Sequence, residues 1–361
     1  MSDLRPLSRR HFLARTGALL SVGGLPACGA LDGLSSVAGP TGGSDGPGNA
    51  SILLPLTGEQ AQLGKRLEAA VRLGGGPGIG IEIRDSGSSS DTAVIAARAA
   101  VENGARILVG PVFSAQTRAV ADAVRVPVLS LSNDSALAGG NTFVFGVTPA
   151  QSTRAVFALA AQRSIRDIAI VAPPGALGAR SVAEAAPIAR SLGIALRPPV
   201  ITDTPGTVVA ALQAGGGMPD GVYLPSAGAS LIPFAEALVG SDVQILGSTQ
   251  WAARDLEAVS ALRGAWFAAP DPLRFAAFTK AYEEQTGQPA GIIAGLAYDG
   301  AELMRVLGQS GQQTKRGLTR DESFTGVLGP YRILNSGLVE RGLAVLEVGA
   351  GDINLIGSTS I

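Results

Sequence analysis

The 361-residue chain has very little cysteine, histidine or aromatic side chain. It has one Cys, one His and 4% aromatic residues, beside 49 Gly and 46% hydrophobic residues. A single Cys cannot form an intramolecular disulfide, and one Cys with one His cannot supply a Cys/His zinc site. No uninterrupted apolar run reaches the roughly 20 residues of a membrane-spanning helix. The composition indicates a globular body with ample apolar material, in one large or two medium domains.

The chain also lacks an excess of charge of either sign. Its 28 Lys+Arg and 29 Asp+Glu give a formal net charge of -1. Proteins that bind nucleic acid carry a basic surface that neutralises phosphates. The charge therefore gives no reason to expect nucleic acid as a partner.

The amino end has the pattern of a bacterial export signal. A basic region with Arg9 and Arg10 precedes a short apolar stretch, and small residues precede Cys28. The paired arginines resemble the twin-arginine signal, and Leu-Pro-Ala-Cys resembles the lipobox of bacterial lipoproteins. We expect residues 1–27 to be a signal peptide and Cys28 to carry lipid. Residues 28–49, rich in Gly, Ser and Pro, then form a flexible tether.

Removal of this signal changes the chemistry that is available to the rest of the chain. Four Arg, one Asp and the single His lie in residues 1–27, so 24 basic and 28 acidic residues remain, a net charge of -4. Without imidazole there is no Ser-His pair and no His metal ligand. S-x-x-K and G-x-x-x-x-G-K-[ST] are both absent. The sequence therefore predicts no enzyme and no cofactor.

From residue 50 onward, short β-rich runs alternate with longer helical patterns, which predicts βαβ units and parallel sheets. The predicted helices are 91–103, 151–164, 178–192, 229–239, 272–286 and 292–307. The predicted strands are 51–54, 79–84, 106–109, 126–131, 142–147, 167–172, 221–224, 243–246 and 264–268. Nine strands exceed the number that one compact doubly wound sheet usually needs. We therefore expect two α/β lobes.

Several predicted strands end in small polar residues just before a helix. Open α/β sheets bind ligands at the carboxyl ends of their strands, where helix amino termini present free N–H groups. Thr57 follows the first strand, Ser114 and Thr117 follow the third, and Asp134 follows the fourth. For Ser114 and Thr117 two roles stay open, because each side chain can cap a helix or face a cleft.

These segments resemble the type I periplasmic binding proteins, in the branch that binds leucine, isoleucine and valine. The matching stretches keep the family's order along the chain. They are ILLPLTG at 52–58, LVGP at 108–111 with Ser114 and Thr117, VPVLS at 126–130, FGVTP at 145–149, IAIV at 168–171, AYD at 297–299 and GVLGP at 326–330.

The resemblance implies a two-lobed α/β fold, each lobe a parallel sheet flanked by helices, with three inter-lobe crossovers and a ligand cleft between the lobes. Lobe one is expected at 50–150 plus 275–325, and lobe two at 151–274 plus 326–361. The resemblance assigns a ligand's carboxylate to lobe one and the rest of an amino-acid clamp largely to lobe two. The candidate cleft residues are Thr57, Ser114, Thr117, Ser132, Asn133, Asp134, Leu177, Ser226, Thr249, Gln250 and Trp251.

The expected acidic residue and aromatic side chains of the clamp are missing. Leu177 and small residues near 227 stand where aromatics are expected, and Thr249 or Gln250 replaces the acid. An α-ammonium buried without a carboxylate costs several kcal/mol, so an unmodified α-amino acid is a poor ligand unless Asp134 substitutes from the other lobe. For Trp251 two roles stay open, a stacking face for a ligand or a core side chain.

Two functions remain open at this point. A second subfamily with the same fold consists of lipoproteins that activate penicillin-binding proteins and need no amino-acid clamp. We favour this role, a non-enzymatic regulator whose partner is a peptidoglycan synthase. The alternative is the substrate-binding lipoprotein of an ABC-type amino-acid or amide transporter, with an ABC permease as partner and a small polar ligand in the cleft. Both imply a periplasmic protein held by lipid to the inner or outer membrane.

Overall fold

Two sheets flanked by helices form the framework of the protein. The computed structural model describes residues 49–76 and 81–361. The first sheet has the strand order β2-β1-β3-β4-β5, and all its neighbours pair in parallel. Its strands are β1 (Asn49–Leu54), β2 (Ile81–Asp85), β3 (Ala105–Val109), β4 (Val128–Ser130) and β5 (Thr142–Val144).

The second sheet has eight strands in the order β16-β15-β11-β10-β9-β6-β7, with β8 also paired to β6. Pairing is parallel from β11 to β7, while β15 and β16 are antiparallel additions at the β11 edge. Its strands are β6 (Asp167–Ala172), β7 (Ala195–Leu196), β8 (Val200–Ile201), β9 (Gly221–Leu224), β10 (Gln244–Gly247), β11 (Trp266–Ala269), β15 (Ala344–Val348) and β16 (Ile353–Ser358).

A small antiparallel sheet, ten α-helices and four short 3-10 helices complete the described part of the chain. The small sheet contains β12 (Phe324–Gly326), β13 (Gly329–Ile333) and β14 (Val339–Arg341). The helices are α1 (Ala61–Gly75), α2 (Ser90–Glu102), α3 (Ser114–Ala123), α4 (Pro149–Gln162), α5 (Ala176–Ser191), α6 (Val208–Ala214), α7 (Leu231–Ala237), α8 (Pro272–Thr286), α9 (Ile292–Gln309) and α10 (Lys315–Leu318).

The first lobe is defined here as the first sheet with the helices packed on it, and the second lobe as the second sheet with its helices. Helices α1, α2 and α9 contact strands of the first sheet, and α1 packs against α9. Gly74 permits this helix pair, because a Cβ there would lie 2.4 Å from the carbonyl oxygen of Tyr298. Helices α4, α5 and α6 contact strands of the second sheet. Buried apolar strands such as β6 carry the core between these layers.

Local sequence explains where the helices that follow the lobe connections begin. Thr148 accepts a hydrogen bond from the N–H of Gln151 at 3.4 Å, and Pro149 occupies the first turn of α4. Asp271 accepts hydrogen bonds from the N–H groups of Leu273 and Arg274 at the start of α8. These caps satisfy N–H groups of the first turn and so fix the residues at which the two helices begin.

The predicted two-lobed α/β fold is confirmed, and the nine predicted strands and six predicted helices are all present. The elements 167–172, 221–224 and 272–286 have the predicted ends, and the others are shifted at one or both ends. Residues 79 and 80 of the second predicted strand lie outside the described residues. The second sheet is not purely parallel as expected, because β15 and β16 form a hairpin along its edge. The expected lobe boundaries and number of crossovers stay predictions. Among the described helices, none has the length and apolar character that crossing a bilayer requires.

Candidate ligand-binding cleft

A cavity of about 460 Å³ lies where elements of both lobes meet. Its first-lobe walls follow the carboxyl ends of β3, β4 and β5, and the start of α9 contributes a further wall. The second-lobe wall is the segment after β10. The lining residues are Val112, Phe113, Ser114, Leu131, Ser132, Asn133, Val147, Thr249, Gln250, Ala252, Ala253, Phe275, Ala290, Gly291, Ile292, Ile293 and Leu296.

The polar part of the first-lobe wall contains Asn133 and two serine hydroxyls that contact each other. Ser114 is the first residue of α3, and its Oγ lies 2.9 Å from the Oγ of buried Ser132. The Oγ of Ser132 also accepts the N–H of Asp134 at 3.2 Å. The first turn of α3 has N–H groups without an intrahelical acceptor. This corner of the cavity therefore offers hydrogen-bond donors to a neutral acceptor or an anionic oxygen of a ligand.

The second-lobe wall is polar but its main hydroxyl is already engaged. The Oγ1 of Thr249 lies 2.9 Å from the Oγ of Ser152 at the start of α4, and both residues are buried. Gln250 is exposed and lines the same wall. A side chamber just large enough for one water, about 10 Å³, continues from this wall toward Leu177 and Ser181.

No charged side chain lines the cavity in the described part of the chain. Asp134, which sequence reasoning considered as a substitute acid, does not line it. Its Oδ1 lies 3.4 Å from the Nη1 of Arg180 on α5 and also accepts the N–H of Ala136. A buried ammonium would therefore have no carboxylate partner in this cleft, which makes a zwitterionic amino acid a poor fit.

Of the eleven candidate cleft residues, the structure brings five together around the main cavity. These are Ser114, Ser132, Asn133, Thr249 and Gln250. Leu177 lines only the small side chamber. The half-buried Ser226 lines neither space, and its hydroxyl accepts the N–H of Gly228 at 3.1 Å. Leu177, Ser226 and Asp134 are therefore three candidate clamp residues that do not line the main cavity.

Three further candidates are corrected by their burial or their partners. Trp251 is fully buried, stacks on Phe267 and donates its indole N–H to the carbonyl of Leu224, so it is a core side chain. Thr117 is also fully buried and neither caps α3 nor faces the cavity, since its hydroxyl pairs with Ser130 at 2.8 Å.

Thr57 is the third of these candidates, and it is exposed on the turn after β1. Its hydroxyl donates to the Oδ2 of Asp85 at 2.6 Å. Burial opposes ionisation of Asp85, but hydrogen bonds from Thr57, Gly87 and Leu56 outweigh it and lower the pKa of this carboxyl. Thr57 therefore belongs to the turn that Asp85 holds by hydrogen bonds, rather than to the cavity.

Sequence reasoning missed the apolar wall of the cavity. Phe113, Phe275 and the first turns of α9 supply most of it, together with Val112 and Leu131. The helices at 272–286 and 292–307 were predicted, but nothing in their patterns indicates which turn faces the cleft. Ala290 and Gly291 come just before α9, so this wall is close to a helix start.

A fully buried ion pair lies on α9 and β14, outside the lining of the cavity. The Oδ2 of Asp299 on α9 lies 3.5 Å from the Nη1 of Arg341 on β14, and neither side chain is exposed. Burial raises the pKa of Asp299 to about 6, although Arg341 and the N–H groups of Val327 and Leu328 oppose the shift. In the described ranges, no group of three or more His, Cys, Asp or Glu side chains is placed to hold a metal ion.

Comparisons with known proteins identify the fold. Residues 50–352 match the family model described as periplasmic binding protein. A putative branched-chain amino acid ABC transporter structure from Rhodospirillum rubrum is 22% identical, with a TM-score of 0.76, covering 86% of this chain and 99% of that one. The C-domain of LpoA from Haemophilus influenzae, a regulator of PBP1A, is 16% identical, with a TM-score of 0.69, covering 86% and 100%.

A solute binding protein of an ABC transporter from Rhodopseudomonas palustris, in complex with 3,4-dihydroxybenzoic acid, is 18% identical. Its TM-score is 0.62, and the match covers 88% of this chain and 98% of that one. No curated protein sequence matches. Identities this low show a shared fold, while the family match spans most of the chain. The chain belongs to the periplasmic binding protein family, in its type I leucine-binding branch.

Proposed function

We propose that this protein is a non-enzymatic regulator of peptidoglycan synthesis, an activator of a penicillin-binding protein, held in the cell envelope by a lipid on Cys28. The observation that carries the proposal is the uncharged cleft, which has no carboxylate for the ammonium of an amino acid. A receptor for branched-chain amino acids needs such a partner, because an unpaired buried ammonium costs several kcal/mol. A regulator that acts through its surface does not.

Three further observations support this proposal. The family is periplasmic, which is the compartment of peptidoglycan synthesis. The C-domain of LpoA, whose described role is regulation of PBP1A, has the same fold over its whole length. The sequence context of Cys28 supports the proposed anchor, since this residue follows a signal-like segment and precedes a Gly-, Ser- and Pro-rich stretch.

Direct binding to a synthase tests the proposal. The purified protein is immobilised, and the bifunctional peptidoglycan synthase of the same organism is passed over it. A leucine-binding receptor of that organism is the matched control, because it shares the fold but needs no synthase. We expect saturable binding to this protein and none to the control. Binding no stronger than that of the control would contradict the proposal.

A second candidate function is that of a solute receptor, and the 460 Å³ cavity favours it. The two serine hydroxyls and the start of α3 suit one acceptor or anionic group, and the apolar wall suits a hydrophobic body. The ligand would be neutral or a monoanion with an apolar body, not a zwitterion. Because a ligand at 100 times its Kd stabilises the native state by about 2.7 kcal/mol, thermal unfolding reports such binding.

The two candidates give different thermal-shift results. Leucine, the desamino acid 4-methylpentanoate and the neutral 4-methylpentanamide present the same apolar body with different charged groups. A receptor of the proposed chemistry is stabilised by the desamino acid or the amide, neither of which carries an ammonium, and a regulator by none of the three. Strong stabilisation by leucine itself would contradict both, because it would require a partner for the ammonium.

A further inference from the structure

Two side-chain bridges join the lobes beside the cleft. They connect the loop after β4 in the first lobe with α5 in the second. In one, the Oδ1 of Asp134 lies 3.4 Å from the Nη1 of Arg180. In the other, the hydroxyl of Ser135 donates to the Oε1 of Glu184. Arg180 and Glu184 are four residues apart on α5, so they lie on one face of the helix.

The carboxylate of Glu184 accepts hydrogen bonds from two different segments of the chain. The Oε2 of Glu184 accepts the N–H of Ala150 in the first turn of α4, where the helix dipole favours a carboxylate. The same carboxylate therefore contacts the first-lobe loop and the segment through which the chain enters the second lobe. A movement of the lobes away from each other on this side must break the Ser135 hydrogen bond.

The bridges adjoin the cleft directly. Ser132 and Asn133, which line the cavity, immediately precede Asp134 and Ser135. Leu177 and Ser181 line the side chamber from the same turns of α5 that carry Arg180 and Glu184. The guanidinium of Arg180 reaches the first lobe through its Nη1, which contacts Asp134, while its buried Nε has no hydrogen-bond partner.

We infer that Asp134, Ser135, Arg180 and Glu184 form a latch that holds the cleft closed without a ligand. In a receptor closed only by its solute, ligand contacts supply the free energy of closure. Here the chain's own side chains supply it, through one ion pair and one hydrogen bond to a carboxylate. The inference does not depend on a synthase partner, so it stands or fails separately from the proposed function.

The test compares the wild-type protein with variants of the latch residues, all without added ligand. Arg180→Ala with Glu184→Ala removes both second-lobe groups. Asp134→Asn removes one charge but keeps an oxygen that can accept the Ala136 N–H. Arg332→Ala is the matched control, since it breaks an Arg–Glu ion pair within the β13–β14 hairpin. Small-angle X-ray scattering measures the radius of gyration, and amide hydrogen exchange is followed in peptides covering 131–137 and 176–185.

We expect the double variant to have a larger radius of gyration and about fivefold faster exchange in both peptides. Partly exposed bridges of this kind change the ratio of open to closed protein by about this factor. We expect Asp134→Asn to increase the radius of gyration and the exchange rates as well, and Arg332→Ala to leave these quantities unchanged. Circular dichroism checks that each variant is folded. A folded double variant, or a folded Asp134→Asn, with wild-type scattering and exchange would overturn the latch. So would the same changes in Arg332→Ala.

Discussion

Asp299 and Arg341 form an ion pair that is entirely removed from solvent, with 3.5 Å between Oδ2 and Nη1. The guanidinium lies against the rings of Phe145 and Tyr331, at 5.0 and 4.9 Å from their centroids, and donates to the carbonyl of Phe145. The carboxylate accepts the N–H groups of the turn between β12 and β13. The pair therefore ties α9 to the end of β5 and to the small antiparallel sheet.

Arg341→Ala is expected to destabilise the protein strongly. It leaves the carboxylate of Asp299 buried without its cation, and breaking a buried pair in this way costs about 3–5 kcal/mol. Urea unfolding measures the loss. Asp299→Asn combined with Arg341→Met is the matched variant, because it removes both charges and keeps similar volumes. A double variant that loses as much stability as Arg341→Ala would contradict the electrostatic cause.

The same pair predicts a pH dependence of stability. The pKa of Asp299 is raised to about 6 by burial, above the ordinary value of 3.8. Between these values the native state holds a proton that the unfolded state has lost, so this group's contribution to the free energy of unfolding increases as the pH falls from 7 to 4. We expect Asp299→Asn to remove that contribution from urea unfolding measured across this range. An unchanged pH slope in the variant would show that Asp299 is not the titrating group.

Gly247 on β10 is expected to tolerate no side chain. A Cβ there would lie 2.4 Å from a ring carbon of the fully buried Trp251. Overpacking of this kind costs about 1–3 kcal/mol, so Gly247→Ala should lower the melting temperature by several degrees. Gly206→Ala is the control, since a Cβ there meets nothing within 4 Å. Equal melting temperatures for the two variants would contradict the close contact with Trp251.

Cys28→Ala is expected to release the protein from membranes. The lipid that we predict on Cys28 is the only membrane attachment that the sequence indicates. Fractionation followed by immunoblotting measures the distribution between soluble and membrane fractions, with Ser36→Ala in the predicted tether as the control. A variant that stays in the membrane fraction would refute the lipid anchor.

Sequence patterns predicted the strands and helices because buried parallel strands and amphipathic helices have local signatures. The carboxyl-terminal antiparallel strands were not predicted, since hairpins such as β13–β14 depend on partners rather than on a strong periodicity of their own. Helix α1 was missed as well, although Leu67 and Val71 lie four residues apart on its buried side.

The polar residues of the cleft were partly predictable because they follow strand ends, as Ser114 and Ser132 do. The apolar wall was not, because Phe113 and Ile292 are brought together only by the tertiary fold. Trp251 and Thr117 follow strands too, yet their side chains turn into the core. The pairing of Asp299 with Arg341, 42 residues away, carries no signal in a single sequence.

The rate of peptidoglycan synthesis in a purified system tests the central claim most directly. A bifunctional synthase from the same organism is supplied with lipid-linked precursor, with and without this protein, and glycan polymerisation and peptide cross-linking are followed over time. The proposed regulator increases the rate of one or both reactions, and the leucine-binding receptor of the organism does not. Rates that stay the same at saturating concentrations of this protein would contradict the claim.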